Sequence, residues 1–322
     1  MRSRHILIDT DTASDDAVAL IMALRNKEVT VAAITVVAGN VGVDQATRNA
    51  LYTTELCGSD VPVFRGADKP LSRSLEIADW FHGSDGLGDH GYMPTRREAE
   101  RDHAVSAILK IIATRPGIEI ITLGSLTNLA LALREKPSLV ADVSRCVVMG
   151  GAPCCEGNVT PAAEFNIWVD PEAARIVFHS GLPIEMIGWQ LSRGSAVFDT
   201  LDIAKLKRFG SPLADFTISA NRVAIEANKI QTGQIGIALP DPVAMGILLR
   251  PGLCLESGDH YVDIETASEL TRGMTVVDRL NVAHDPRNCI VWSETLKREA
   301  RIKICWKLDV ERWKALVMEA LR

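Results

Sequence analysis

The chain has 322 residues, 47% of them hydrophobic, and a formal net charge of −6. That is enough apolar material for a large buried core, and the interspersed acids and bases leave no basic run to grip a nucleic-acid backbone. Its seven cysteines are irregularly spaced and form no CxxC pair, which argues against a disulfide framework or a zinc site and fits a reducing cytoplasm.

In chain order, residues 5–11 (HILIDTD) read as a buried strand, too short in its apolar part for a signal peptide. A helix is predicted from Asp15 to Asn26, with Ser14 as its N-cap and acids in its first turn. Residues 29–39 form a second strand, Val43 to Cys57 a helix, and Val61 to Phe64 a short strand. Further apolar strands fall at 118–124, 146–151 and 183–189, with helices between them. The region 190–260 reads as mainly helical, at 200–209, 211–230 and 241–250. Four short strand candidates (YVDIE, MTVVD, CIVW and IKICW) and a helix from Asp309 close the chain. Apolar strands separated by helices predict one α/β domain over 1–322. Its sheet is mostly parallel, doubly wound and Rossmann-like, with a helical portion over one edge and short C-terminal strands. No apolar stretch approaches the ~18–20 residues of a membrane span.

The segment Asp9-Thr10-Asp11-Thr12-Ala13-Ser14-Asp15-Asp16 places four carboxylates at the C-terminal end of the first strand, the end where open α/β sheets bind ligands. Side chains alternate along a strand, so Asp9 and Asp11 share a face, and the turn can fold Asp15 and Asp16 back toward them. Four anions this close repel unless something cationic intervenes. A hard, oxygen-ligated cation, Ca²⁺ or Mg²⁺, answers that need. The alternative is structural: Asp15 and Asp16 favour the helix dipole, and the other two are loop acids.

The same segment resembles the DxDxxxDD signature of the inosine–uridine nucleoside hydrolase family. TVVAGN (35–40), TRNA (47–50), HGSDGLG (82–88), LTN (126–128), VVMGG (147–151), EGN (156–158), AEFNIWVDPEAA (163–174), Asp241-Pro242 and GMTVVD (273–278) follow in the family's order. The resemblance implies Ca²⁺ held by Asp11, Asp16, Asp241 and the backbone carbonyl of Leu123. It implies a ribose surrounded by Asp15, Asn40, Met149, Asn158, Glu164 and Asn166, with Asp9 supporting the cluster. The implied reaction is hydrolysis of the N-glycosidic bond of ribonucleosides to ribose and free base, with Asp11 as general base for a metal-held water attacking C1′. It also implies a cytoplasmic salvage enzyme, a small-molecule substrate, no nucleic-acid or membrane partner, and assembly as a homodimer or homotetramer.

The departures concern the leaving base. A histidine precedes the second acidic contribution in well-known members, whereas this chain has Pro240, and residues 221–238 contain no aromatic. His82 is a candidate acid, Trp80 and Trp189 can stack on a base, and Asn228 is a polar candidate; packing and loop roles stand beside each of these. Cys154 and Cys155 have no visible activating partner. Two competing readings remain at this level. One is a haloacid dehalogenase-type Mg²⁺ phosphohydrolase using Asp9 as nucleophile. The other is a non-catalytic nucleoside- or ribose-binding homologue.

Overall fold

The computed structural model describes residues 4–92, 96–288 and 301–322; the CIVW segment and Cys289 lie outside them. The first winding consists of β1 (Arg4–Thr10), α1 (Ser14–Leu24), β2 (Val29–Val36), α2 (Val43–Leu56) and β3 (Val63–Arg65). The second runs through α3 (Asp79–His82), α4 (Ala104–Thr114), β4 (Ile118–Thr122), α5 (Thr127–Glu135), β5 (Val143–Met149), α6 (Phe165–Val169), α7 (Pro171–Phe178) and β6 (Ile184–Ile187). Then come α8 (Thr200–Lys207), α9 (Pro212–Ala220), α10 (Arg222–Thr232), α11 (Pro240–Leu249), β7 (Cys254–Ile264), β8 (Thr275–Val277), β9 (Arg301–Leu308) and α12 (Val310–Ala320).

One nine-stranded sheet of order β3-β2-β1-β4-β5-β6-β9-β7-β8 carries the whole arrangement. The strands from β3 to β9 in that order pair in parallel, and β7 and β8 finish the sheet antiparallel. The winding reverses between β1 and β4, and the crevice at such a switch point is where ligands sit in this architecture. Alternation along the strands sorts the core into two layers. Ile6, Ile8, Ile121, Val147 and Met149 face α1, α2, α11 and α12, whereas Leu7, Ile120, Cys146 and Val148 face α4, α5 and α7. Every residue of α1 from Ser14 to Ala23 is buried. A helix that is apolar nearly all round is built for that position, and α1 packs between α2, α9 and α11.

Three local expectations are corrected. The N-cap of α1 is Ala13, not Ser14. Asp16 Oδ2 accepts the Ala13 N–H at 2.9 Å, and the Ser14 hydroxyl is engaged by His82 instead. The helix expected over 211–230 is two helices. The chain turns at Asn221, whose amide donates to the carbonyls of Thr217 (2.9 Å) and Ser14 (3.4 Å) and so ties the break to the start of α1. Finally, β7 extends back to Cys254, well before YVDIE, because its polar first half pairs with β9 through two register shifts. The helical portion α8–α10 packs on α1 and α3 and joins the α1 side of the core.

Candidate active site

The carboxylates come from two distant parts of the chain. Asp9 is the penultimate residue of β1, Asp11 follows the strand, Asp15 and Asp16 lie in the first turn of α1, and Asp241 lies in the first turn of α11. α11 is pinned at both ends. The Trp313 indole donates to the Pro242 carbonyl at 2.8 Å. At the far end, Arg4 and Arg145 donate to the carbonyls of Ile247, Leu248 and Leu249, occupying acceptors that a helix C-terminus leaves open. Those arginines are balanced by Glu119 and Glu185.

Asp15, Asp16 and Asp241 offer oxygens that all lie within 4.8 Å of one another. Asp16 is fixed by Thr10 Oγ1 at 2.5 Å and by the Ala13 N–H. Asp11 takes the Asn40 N–H on Oδ2 at 2.6 Å and is clasped between two glycines. A Cβ at Gly39 would lie 2.1 Å from Asp11 Oδ2, and one at Gly124 would lie 2.7 Å from Asp11 Oδ1. All four carboxyls are pushed upward. Burial is the largest cause in each, followed by repulsion from Asp16 for Asp11 and Asp15, and from Asp15, Asp16 and Asp11 for Asp241; Asp15 reaches about 7. Asp11 Oδ1 and Asp15 Oδ1 are buried without a hydrogen-bond partner among the described residues. Crowded, dehydrated carboxylates with unanswered oxygens fit a hard cation, and the all-oxygen donor set fits Ca²⁺ or Mg²⁺.

Asp9 stands apart. It projects to the α5 side of the sheet, where its Oδ1 accepts from Thr35 Oγ1 at 2.5 Å and from Asn128 Nδ2 at 2.9 Å. Like Asp11 and Asp16, it is buried and outside the pocket lining. Its bonds to Thr35 and Asn128, away from the meeting of Asp15, Asp16 and Asp241, do not support a role as phosphohydrolase nucleophile.

Above the acids opens a pocket. Asp15, Asn40, Leu123, Met149, Asn158, Glu164, Asn166 and Asp241 all line it. Asn166 Nδ2 donates to the Leu123 carbonyl at 2.6 Å and to Met149 Sδ at 3.2 Å. Glu164 caps α6, accepting backbone N–H groups from Asn166, Ile167 and Gly151, and Asn158 Oδ1 accepts the Phe165 N–H at 2.9 Å. Asn40 presents its amide with no partner among the described residues, its backbone being used by Asp11 and Ala78.

The four leaving-base candidates also line the pocket, in different states. His82 is buried, bonded through Nδ1 to the Ser14 hydroxyl at 2.9 Å and 3.8 Å from Asp15. Burial lowers its pKa to about 3, so the ring is neutral at physiological pH. Trp80 is 54% exposed, edge-on to Phe81. Trp189 is buried, and its indole donates to the Glu156 carbonyl at 2.8 Å. Asn228 spends its amide on the Gln234 carbonyl at 2.8 Å. Sequence reasoning missed Phe81, Phe165, Ser192 and Arg193, which also line the wall. Applying the strand-end rule to β6 would have drawn attention to 188–193.

Amides and acids in the lining suit sugar hydroxyls, and its aromatic rings suit an aromatic base, so the pocket is that of a protein acting on a base-bearing sugar. The inosine-uridine preferring nucleoside hydrolase model matches residues 6–315, and the chain belongs to that family of ribonucleoside glycosidases. It is 42% identical over 292 residues to a pyrimidine-specific ribonucleoside hydrolase, RihA, of a Shewanella species (strain ANA-3), covering 90% of this chain and 91% of that one. Among solved structures, a plant nucleoside hydrolase, the PpNRh1 enzyme, superposes with a TM-score of 0.91 at 32% identity, covering 99% of each chain. A purine-preferring ribonucleoside hydrolase from Gardnerella vaginalis gives 0.88 at 27% identity, covering 99% of this chain and 98% of that one. Among the described residues, no helix is long and apolar enough to cross a membrane.

Proposed function

We propose that this chain is a Ca²⁺-dependent hydrolase of ribonucleosides, with pyrimidine ribonucleosides as its preferred substrates. The base preference is supported by the higher identity to a pyrimidine-specific relative than to a purine-preferring one. The observation that carries the metal reading is the meeting of Asp15, Asp16 and Asp241 beside the unpartnered oxygens of Asp11 and Asp15. Asp11, Asp16, Asp241 and the Leu123 carbonyl would hold the ion. When bound, Ca²⁺ supplies the positive charge that keeps the carboxylates ionised and makes nearby water easier to deprotonate.

The protein's own groups do the rest. Asn40, Asn158, Glu164 and Asn166 bind and orient the ribose hydroxyls, with Asp15 beneath the ring and Met149 closing the apolar side. As the C1′–N bond opens, positive charge grows on the sugar, and the carboxylates below stabilise it. Asp11 takes the proton of the attacking water. Asp9 keeps β1 in register with β2 and α5 from behind. A homodimer or homotetramer is part of this reading and is open to sedimentation analysis.

The test is release of reducing sugar from uridine and inosine by protein depleted of metal, then supplied with Ca²⁺ or Mg²⁺. Activity should vanish on depletion and return best with Ca²⁺. Undiminished turnover without metal would overturn the proposal.

A further inference from the structure

The acidic floor serves the sugar and does nothing for the departing base. When the C1′–N bond breaks, its electron pair passes to the base nitrogen, and the base carries negative charge as it leaves. Pro240 has no proton to offer, and His82 lies on the floor against Ser14 and Asp15, on the sugar's side. Among the pocket-lining residues, Arg193 is the one lysine or arginine. Its side chain is 33% exposed, whereas the floor carboxylates are buried. It thus belongs to the more exposed part of the lining, the part that faces a base when its ribose lies on the buried acids.

The guanidinium is held ready there. Nη1 donates to Glu156 Oε1 at 2.7 Å, and the guanidinium carbon lies 4.5 Å from the centre of the Trp189 ring. Trp189 in turn donates to the Glu156 carbonyl, so the three residues orient one another. Only one of the five guanidinium N–H donors is needed for the Glu156 pair. Charge fixed in place before reaction stabilises a developing anion without a reorganisation cost.

Resting on the hydrolase reading above, we propose that Arg193 binds the departing base and stabilises the negative charge that develops on its carbonyl oxygens, which favours oxo-bases such as uracil over adenine. The step balances. Water oxygen bonds to C1′, the C1′–N pair goes to the base, and the water's proton passes to Asp11 and then to solvent. The base anion takes one proton from solvent, giving ribose and neutral base from one nucleoside and one water. Arg193 stays protonated throughout.

The test compares the Ca²⁺-loaded protein with its Arg193→Gln and Arg193→Lys variants on uridine, adenosine and nitrophenyl β-riboside, whose leaving group needs no help. Arg193→Gln should lose ~100-fold in kcat on uridine, the usual effect of removing one preorganised donor. It should lose far less on adenosine and almost nothing on the nitrophenyl riboside, with an unchanged unfolding midpoint. Arg193→Lys should recover part of the uridine rate. Equal losses on all three substrates, a change in KM alone, or no loss on uridine would overturn this inference while leaving the hydrolase reading intact. Failure of the unmodified protein to cleave any of the ribosides would overturn the hydrolase reading, and this inference with it.

Discussion

Stripping the cation from the acidic floor should make the fold pH-sensitive in one direction. Asp15 is raised from 3.8 to about 7, by burial first and Asp16 second, and Asp11, Asp16 and Asp241 move the same way. Between about pH 4 and 7, the folded metal-free protein therefore holds protons that the unfolded chain has already released. Its unfolding free energy falls as pH rises through that window, and Asp11 and Asp241, raised well above the ordinary carboxylate range, extend the fall beyond it. Each proton held through the window is worth ~1.36 kcal/mol per pH unit, so the four coupled acids together remove a large share of the ~5–15 kcal/mol typical of a domain. Ca²⁺ binding to the folded state alone restores stability and flattens the slope. Asp9, raised to about 7 by burial against hydrogen bonds from Thr35 and Asn128, adds a similar slope that Ca²⁺ does not remove, so the measurement belongs in an Asp9→Asn background. Urea unfolding of chelator-treated Asp9→Asn protein from about pH 5 to 8, with and without Ca²⁺, reads the effect. Stability that stays level or rises with pH in the metal-free protein, or Ca²⁺ that adds nothing at the alkaline end, would refute the reasoning.

Three further outcomes follow from the geometry. Asp11→Ala removes a buried, repelled carboxylate and the proposed base, so turnover of uridine should fall by at least ~10²–10⁴-fold with the unfolding midpoint maintained; near-normal turnover would contradict the assignment. Gly39→Ala places a methyl 2.1 Å from Asp11 Oδ2, so steady-state kinetics should show kcat down ~10²-fold, the cost of ångström-scale misplacement, and calorimetry should show weakened Ca²⁺ binding. Trp313→Phe removes the indole N–H that the Pro242 carbonyl accepts and should cost ~0.5–1.5 kcal/mol in chemical denaturation, with Ca²⁺ affinity reduced as the start of α11 loosens.

The acids of the first loop were legible because they are local. A strand end, a tight turn and a helix start bring Asp11, Asp15 and Asp16 together within one supersecondary unit. Asp241 was found only through resemblance, since nothing near it in sequence announces that α11 will dock beside α1. The wall was the hardest part. Phe81, Phe165 and Arg193 sit on short helices or loops with no periodicity to read, and they meet only after several elements pack. The same limit applies to the break at Asn221. Residues 211–230 contain nothing hostile to a helix except Pro212 at its start, and the interruption comes from a side chain reaching back to Ser14. The polar half of β7, LESGDH, carries little strand propensity, and it is a strand because β9 is there to pair with it.

The clamping of α11 has a consequence for synthesis. The indole that seats Asp241 belongs to Trp313, more than seventy residues downstream of Pro242, and the guanidinium groups at the other end come from positions 4 and 145. On the ribosome, the Asp11–Asp16 loop emerges early and waits as an incomplete half-site. The half-site is completed when Asp241 is seated beside it, and a contact from the C-terminal helix helps to seat it, so the floor of the pocket depends on residues drawn from both ends of the sequence.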